Sequence, residues 1–262
     1  MTGPPPLTWL YVPADRPDRI EKAIASRAHA VIVDLEDGVA PGAKGEARAN
    51  LAGLLGSPHE KPVYVRVNAG NAADLEAVSE LELAGVIVPK VERPEDIPPG
   101  LRVNALIESA AGLEAAYEIA RHPQVAGISL GEADLRSQTG ALEPGLDWAR
   151  ARVVNAAVAA GLPRPPQSAY PNIRDLDGLA ASCRRGRELG HLGRAAIHPD
   201  QLPVIERAYL PTEEELERAR ETLERLDDEG AGTLDGGEFV DAAMLGAARQ
   251  IVELEERYGS GR

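Results

Sequence analysis

Two carboxylates stand where short apolar runs end: Glu108 after Val103–Ile107, and Asp134 shortly after Val125–Leu130. Between the runs, Ala110 to Arg121 has helical spacing, with Leu113, Ala116, Tyr117 and Ala120 on one face. Parallel strands joined by a right-handed helical crossover place their carboxyl ends side by side. Glu108 and Asp134 are therefore expected to approach each other despite their separation in sequence. Two such carboxylates without an obvious cation beside them suit a divalent metal, or else an acid/base pair. Further polar residues follow other apolar runs: Asp34, Glu36 and Asp37; Arg66 and Asn68; Lys90; Glu132; Tyr170; and His198.

The elements that must position these residues follow a repeating strand–helix rhythm. Strands are predicted at Thr8–Val12, Ala28–Leu35, Pro62–Val67, Gly85–Pro89, Val103–Ile107, Val125–Leu130, Pro165–Tyr170 and Arg194–His198. The run AHAVIVDL is apolar throughout, as suits a parallel strand covered on both faces. The segment PPQSAY is the poorest strand, because its prolines suit an edge or an irregular stretch. Helices are predicted after Asp15, over Pro41–Leu55, Asp74–Leu83, Ala110–Arg121, Leu146–Ala160, Asp175–Leu189 and Leu202–Leu210, with only a short one at Pro94–Pro99. This alternation points to an α/β fold, a (β/α)8 TIM barrel, whose active face lies at the carboxyl ends of the strands.

The barrel is assigned to residues 1–210 and a C-terminal helical extension to residues 211–262, one that packs on the barrel or reaches a neighbouring subunit. In the extension, TEEELERARETLERL carries a Thr–Glu capping box, Asp228–Gly237 reads as a loop, and Phe239–Tyr258 as an amphipathic helix.

A chain of 262 residues with 3% aromatics and a formal charge of −14 fits a single well-packed α/β core. The negative balance argues against nucleic acid as a partner, since no basic tract is present to neutralise phosphates. The lone Cys183 excludes a disulfide framework and a cysteine zinc site. No apolar run reaches the ~20 residues of a membrane span, and the opening MTGPPPLTWLYVP lacks a signal-peptide pattern. A soluble, cytoplasmic protein without membrane partners is expected.

The segments LYVPADRPDRIEKA, VIVDLEDGVAPGAKGEAR, VYVRVN, GVIVPKVE, ALIESAAGL, ISLGEADL and GRAAIHPDQL occur in that order along nearly the whole chain. Together they resemble the citrate lyase beta subunit and its stand-alone malyl-CoA and citramalyl-CoA lyase relatives, within the HpcH/HpaI aldolase superfamily. The resemblance implies a Mg2+-dependent carbon–carbon lyase. Its substrate would be a 3-hydroxy-3-carboxyacyl thioester of CoA or an acyl carrier, cleaved to an acetyl thioester and a 2-oxo acid such as oxaloacetate, glyoxylate or pyruvate.

The resemblance also implies residue roles: Glu108 and Asp134 as metal ligands, and Arg66 and Glu108 as substrate-binding groups. Asp34 would lie close to the metal and its waters. Asp241 would be an acid/base, from its own subunit or from a neighbour in a homo-oligomer, trimer or hexamer. Mn2+ could replace Mg2+, since both accept oxygen ligands. Two departures stand out. The family usually reads Leu-Gly-Ala-Glu-Asp-Leu, so the shifted Glu132 receives no role, and PPQSAYPN lacks the acidic residue common at that point.

Each assignment has a plainer competitor. Glu108 could pair with Arg66 or Lys90, and Arg66 could be spent on Asp34 or Glu36. Asp241 could be a solvated helix residue, and His198 a hydrogen-bonded barrel histidine. Lys22, Lys44 and Arg48 suit CoA phosphates or a helix surface equally well. Competing functions are a 2-oxo-acid aldolase, a malyl-CoA thioesterase and a non-catalytic subunit of a lyase complex.

Overall fold

A computed structural model describes residues 4–229, 231–234 and 237–259. The chain divides into two compact units, Pro6–Ala208 and Tyr209–Arg262 with Met1–Pro5.

The larger unit follows the expected alternation. Its elements are β1 (Thr8–Pro13), α1 (Pro17–Ala25), β2 (Ala30–Asp34), α2 (Lys44–Leu55), β3 (Val63–Arg66), α3 (Ala72–Ser79), β4 (Gly85–Val88) and β5 (Val103–Ile107). Next come α4 (Ala110–Glu114), α5 (Ala116–Ala120), β6 (Val125–Leu130), α6 (Glu132–Thr139), α7 (Asp147–Ala159), α8 (Leu176–Glu188), β7 (Arg194–Ala196) and α9 (Leu202–Tyr209). The strands form one curled parallel sheet in the order β6-β5-β4-β3-β2-β1-β7. Local signals explain several boundaries. Pro17 opens α1, whose first turn needs no proline N–H. Asn71, Ser109 and Asp175 cap α3, α4 and α8 by accepting the main-chain N–H of Asp74, Gly112 and Gly178.

The structure departs from the expected elements in several places. The expected strand at Pro165–Tyr170 is reduced to a single bridge between Gln167 and Arg194. The sheet therefore has seven strands, and β6 and β7 are not paired with each other. Pro165 and Pro166 have no N–H to give to a ladder. What fills that place is sparse: Gln167 N–H donates to Gly193 O (2.9 Å), Ala195 N–H to Gln167 O (2.9 Å), and Ser168 Oγ to Leu130 O. The helix at Ala110–Arg121 breaks into two at Ala115. The helix α6, directly after β6, was not predicted; its Glu-Ala-Asp start reads in sequence as a polar loop.

The second unit pairs α10 (Glu213–Glu229) with α11 (Leu245–Tyr258) and adds an antiparallel pair, β8 (Ala231–Thr233) with β9 (Phe239–Asp241). The capping box at the start of α10 is present in both directions: Glu215 N–H donates to Thr212 Oγ1 (3.2 Å) and Thr212 N–H to a Glu215 carboxylate oxygen (2.8 Å). The predicted helix at Phe239–Tyr258 starts only at Leu245, because Phe239–Asp241 is extended against β8. Much of the predicted loop Asp228–Gly237 is accordingly the end of α10 and β8, while Gly230, Asp235 and Gly236 lie outside the described residues. Leu226, Leu234 and Val240 form a small core of their own.

No helix among the described residues is long and apolar enough to cross a membrane.

Candidate active site

The site begins as a continuation of the apolar packing on one face of the sheet. Trp9, Ala30, Ile32, Tyr64, Ile87 and Leu106 form a buried cluster there. Side chains alternate faces along a strand, so the same face is carried on by residues two positions further. Those residues are Tyr11 after Trp9, Asp34 after Ile32, Arg66 after Tyr64, and Glu108 after Leu106. Asp34 and Arg66 are also register partners in neighbouring strands. The polar layer is thus the next layer of the same stack, at the carboxyl ends of the strands.

Arg66 is the hub of that layer. Its Nε and Nη2 donate to Asp34 Oδ1 (2.7 Å) and Oδ2 (2.6 Å), a bidentate fork. Its Nη1 lies 2.9 Å from Glu36 Oε2. That contact is off hydrogen-bond angle, so this buried oxygen has a charge beside it but no directed donor. Lys90 Nζ donates to the other Glu36 oxygen at 3.0 Å. Asp34 also accepts from the N–H groups of Glu36 (2.9 Å) and Gly38 (2.8 Å). A Cβ on Gly38 would lie 2.5 Å from Asp34 Oδ2, so this turn requires glycine.

Burial opposes the charge of Arg66, but the hydrogen bonds and charge of Asp34 outweigh it and hold its pKa above the usual value. Burial pushes the Glu36 carboxyl up, against the pull of Arg66 and Lys90. Burial also drives the Tyr11 phenol up to about 12, opposed by Arg66, whose guanidinium lies 5.1 Å from the ring centre.

Glu108 has a different environment. It is buried, and its Oε2 accepts the main-chain N–H of Lys90 at 3.0 Å. Burial raises its pKa to about 7, and the charges of Glu36 and Asp134 add to the rise. Gly131 makes room for it: a Cβ there would fall 2.4 Å from Glu108 Cγ and 2.5 Å from Oε1. Asp134 sits in the exposed first turn of α6, immediately beyond Gly131. No side-chain cation among the described residues forms an ion pair with Glu108. A buried carboxylate lacking such a partner, with a second acid close enough to raise its pKa, matches the oxygen donors a hard divalent cation uses. The described residues contain no group of three or more His, Cys, Asp or Glu placed for a metal. A magnesium-type site needs only one or two protein carboxylates, so the donor set fits.

The remaining predicted residues have other surroundings. Arg66 is indeed paired with Asp34 and Glu36, as its plainer competitor required. Lys90 meets Glu108 through its main chain only, its ammonium going to Glu36. Lys22 pairs with Asp18 at 3.3 Å on an exposed helix. Lys44 donates to Asn68 Oδ1, and Arg48 to Asp74 Oδ1 at 2.8 Å. His198 Nδ1 accepts the N–H of Asp200 at 3.2 Å. Asp241 belongs to the second unit, where its Oδ1 accepts from Ala243 N–H at 3.0 Å. Glu132 is held bidentately by Arg150 (2.9 and 2.5 Å).

Sequence reasoning missed the buried Asp74, which accepts from Asn68 N–H (2.8 Å) and Nδ2 (2.6 Å) and so fixes the loop after β3. Its signal was the Asn71-x-x-Asp74 start of α3. Beside this loop, a cavity of about 620 Å³ is lined by Asn68, Leu75, Lys90, Arg93, Ile97 and neighbouring residues.

Comparison with known proteins bears on this arrangement. Residues 7–99 and 100–199 match the model of the HpcH/HpaI aldolase/citrate lyase family. A (3S)-malyl-CoA thioesterase of Cereibacter sphaeroides is 32% identical, with 97% of this chain and 95% of the relative covered. An L-malyl-CoA/beta-methylmalyl-CoA lyase of the same species is 31% identical over 94% of this chain and 93% of the relative. Among solved structures, the protein CitE of Mycobacterium tuberculosis in complex with magnesium, acetoacetate and coenzyme A is 33% identical. It superposes with a TM-score of 0.83, covering 97% of this chain and 98% of its own.

Proposed function

The chain belongs to the HpcH/HpaI aldolase/citrate lyase family, and from that premise we propose that it is a Mg2+-dependent carbon–carbon lyase. It would cleave a 3-hydroxy-3-carboxyacyl-CoA of the malyl, citramalyl or citryl type to acetyl-CoA and a 2-oxo acid. The observation that carries this reading is Glu108: buried, flanked by Asp134, and without a side-chain cation of its own. Glu108 and Asp134 would hold the ion. Bound there, Mg2+ supplies Lewis acidity to the hydroxyl and carboxylate oxygens of the substrate. The magnesium in the CitE complex supports the choice of metal.

The chain's own residues supply binding and orientation. Arg66 offers a planar fork for the substrate carboxylate, and the fork retains free N–H bonds beyond the two given to Asp34. Asp34 acts by fixing the plane of that guanidinium. Cleavage of the C2–C3 bond requires the substrate hydroxyl to lose its proton, and the acetyl thioester leaves as an enolate that must gain one. Asp241 is proposed as the acid/base for that proton, within its own subunit or in a neighbour's site of a homo-oligomer. The barrel unit, residues 1–210, would carry the metal and the oxo acid, and residues 211–262 would supply Asp241.

The malyl-CoA thioesterase relative favours a second reading, in which water cleaves the thioester and no carbon–carbon bond breaks. Product analysis separates the two. With malyl-, citramalyl- or citryl-CoA and Mg2+, the lyase releases acetyl-CoA and a 2-oxo acid without free thiol. Free CoA thiol with an intact hydroxy acid would assign the thioesterase. Failure to turn over any of these thioesters would defeat both.

A further inference from the structure

Lys90 has a left-handed backbone (φ 57°), alone among the described non-glycine residues. That conformation is disfavoured for a long side chain and persists where surrounding contacts hold it. Two contacts hold it here: its N–H donates to Glu108 Oε2, and its ammonium to Glu36 Oε1, each at 3.0 Å. The second Glu36 oxygen faces Arg66 Nη1 at 2.9 Å. Glu36 is therefore shared between two cations, and Arg66 between two carboxylates. A guanidinium already neutralising Asp34 and Glu36 attracts a third carboxylate weakly unless one of the two has charge support from elsewhere. Lys90 is the residue placed to give that support.

We infer that Lys90 is a positioning residue for recognition of the substrate carboxylate. Its ammonium shares the charge of Glu36, so that Arg66 can offer the N–H bonds it does not give to Asp34 to the incoming carboxylate, and its main-chain N–H sets the direction of the Glu108 carboxylate. The inference rests on the roles given above to Arg66 and Glu108. It explains why a lysine occupies a position where glycine would be less strained.

Side-chain substitutions separate the two contacts, because each leaves the N–H in place. In Lys90→Met, the KM for the thioester and the Kd for a 2-oxo acid (glyoxylate, pyruvate or oxaloacetate, titrated calorimetrically with Mg2+ present) should both rise about tenfold. The kcat should change far less, since Glu108 keeps its donor. Lys90→Arg should recover most of the binding. Lys90→Gly relieves the backbone, so it should share the binding loss without any fall in Tm, which a purely structural role would not produce. Unchanged KM and Kd in Lys90→Met and Lys90→Gly, with an active wild type, would overturn the inference and leave the lyase reading intact. A wild-type protein that neither binds a 2-oxo acid nor cleaves a thioester would overturn the lyase reading and take this inference with it.

Discussion

Glu108 follows β5 and Glu132 follows β6, adjacent strands of one sheet, yet only Glu132 has a side-chain cation as its partner. Glu132 lies in the fork of the buried Arg150, which also binds Glu143 (2.6 and 2.8 Å) and Asp147 (3.0 Å). Arg185 extends this network to Asp147 at 2.7 Å. Hydrogen bonds from Arg150 hold the Glu143 carboxyl below its ordinary range. Around Glu108 the field has the other sign, and burial with nearby acids lifts its pKa to about 7. In one cluster every acid has an arginine partner within the chain; in the other Glu108 has no side-chain cation among the described residues. Acidic residues at strand ends are therefore not equivalent, and the arginines decide which of them are left without a side-chain cation.

The strongest test of that contrast is Glu108→Gln. It should lower metal-dependent cleavage about 10³-fold while the protein stays folded, because an amide can still accept from Lys90 N–H. Near-normal turnover in that variant would remove Glu108 from the site. The counterpart is Arg150→Met, which removes the guanidinium shared by the partly exposed Glu132 and Asp147 and the exposed Glu143 and should cost about 1–3 kcal/mol in denaturant unfolding. Turnover per folded molecule should stay close to wild type, and a selective loss of activity at unchanged stability would show that the network is not merely structural.

The pH dependence of stability sharpens the same comparison. The folded pKa of Glu108 stands above its ordinary 4.5, so the metal-free fold binds the proton more tightly than the unfolded chain does. Relative to Glu108→Gln, the wild type should lose stability as pH rises from about 4.5 to about 7 and level off above that, by up to about 2–3 kcal/mol. A Tm gap between the two proteins that is the same at pH 5 and pH 8 contradicts this; Mg2+ should narrow the gap at pH 8. The smallest effect is expected from Arg66→Lys. Loss of the planar fork should raise the thioester KM about tenfold with the charge conserved, and an unaltered KM would place the substrate carboxylate elsewhere.

Much of the fold was legible because period-two and helical apolar patterns survive in single segments. β2 is apolar from Ala30 to Val33, and β5 ends where Ile107 gives way to Glu108. The capping box of Thr212 and Glu215 was legible for the same reason, being set by local spacing. Where the prediction failed, the deciding contact was local but ambiguous, or remote. PPQSAY has a strand's length but not its donors, so it makes one bridge to Arg194. Phe239–Asp241 has a helical pattern, yet pairing with Ala231–Thr233 draws it into a strand. The start of α6 resembled a loop because Glu132 and Asp134 are polar and no side-chain cap marks it, Gly131 standing at the N-cap.

The candidate site divides along the same line. Its residue types, its order along the chain and its place at the strand ends follow from the sequence, since alternation alone puts Asp34, Arg66 and Glu108 on one face. Tertiary structure alone decided the pairings: Arg66 with Asp34 and Glu36, Arg150 with Glu132, and Lys90 between Glu36 and Glu108. Strand register is written in the near-neighbour pattern of the chain. Which cation reaches which carboxylate depends on side chains brought together from distant segments, and on how much water their burial removes.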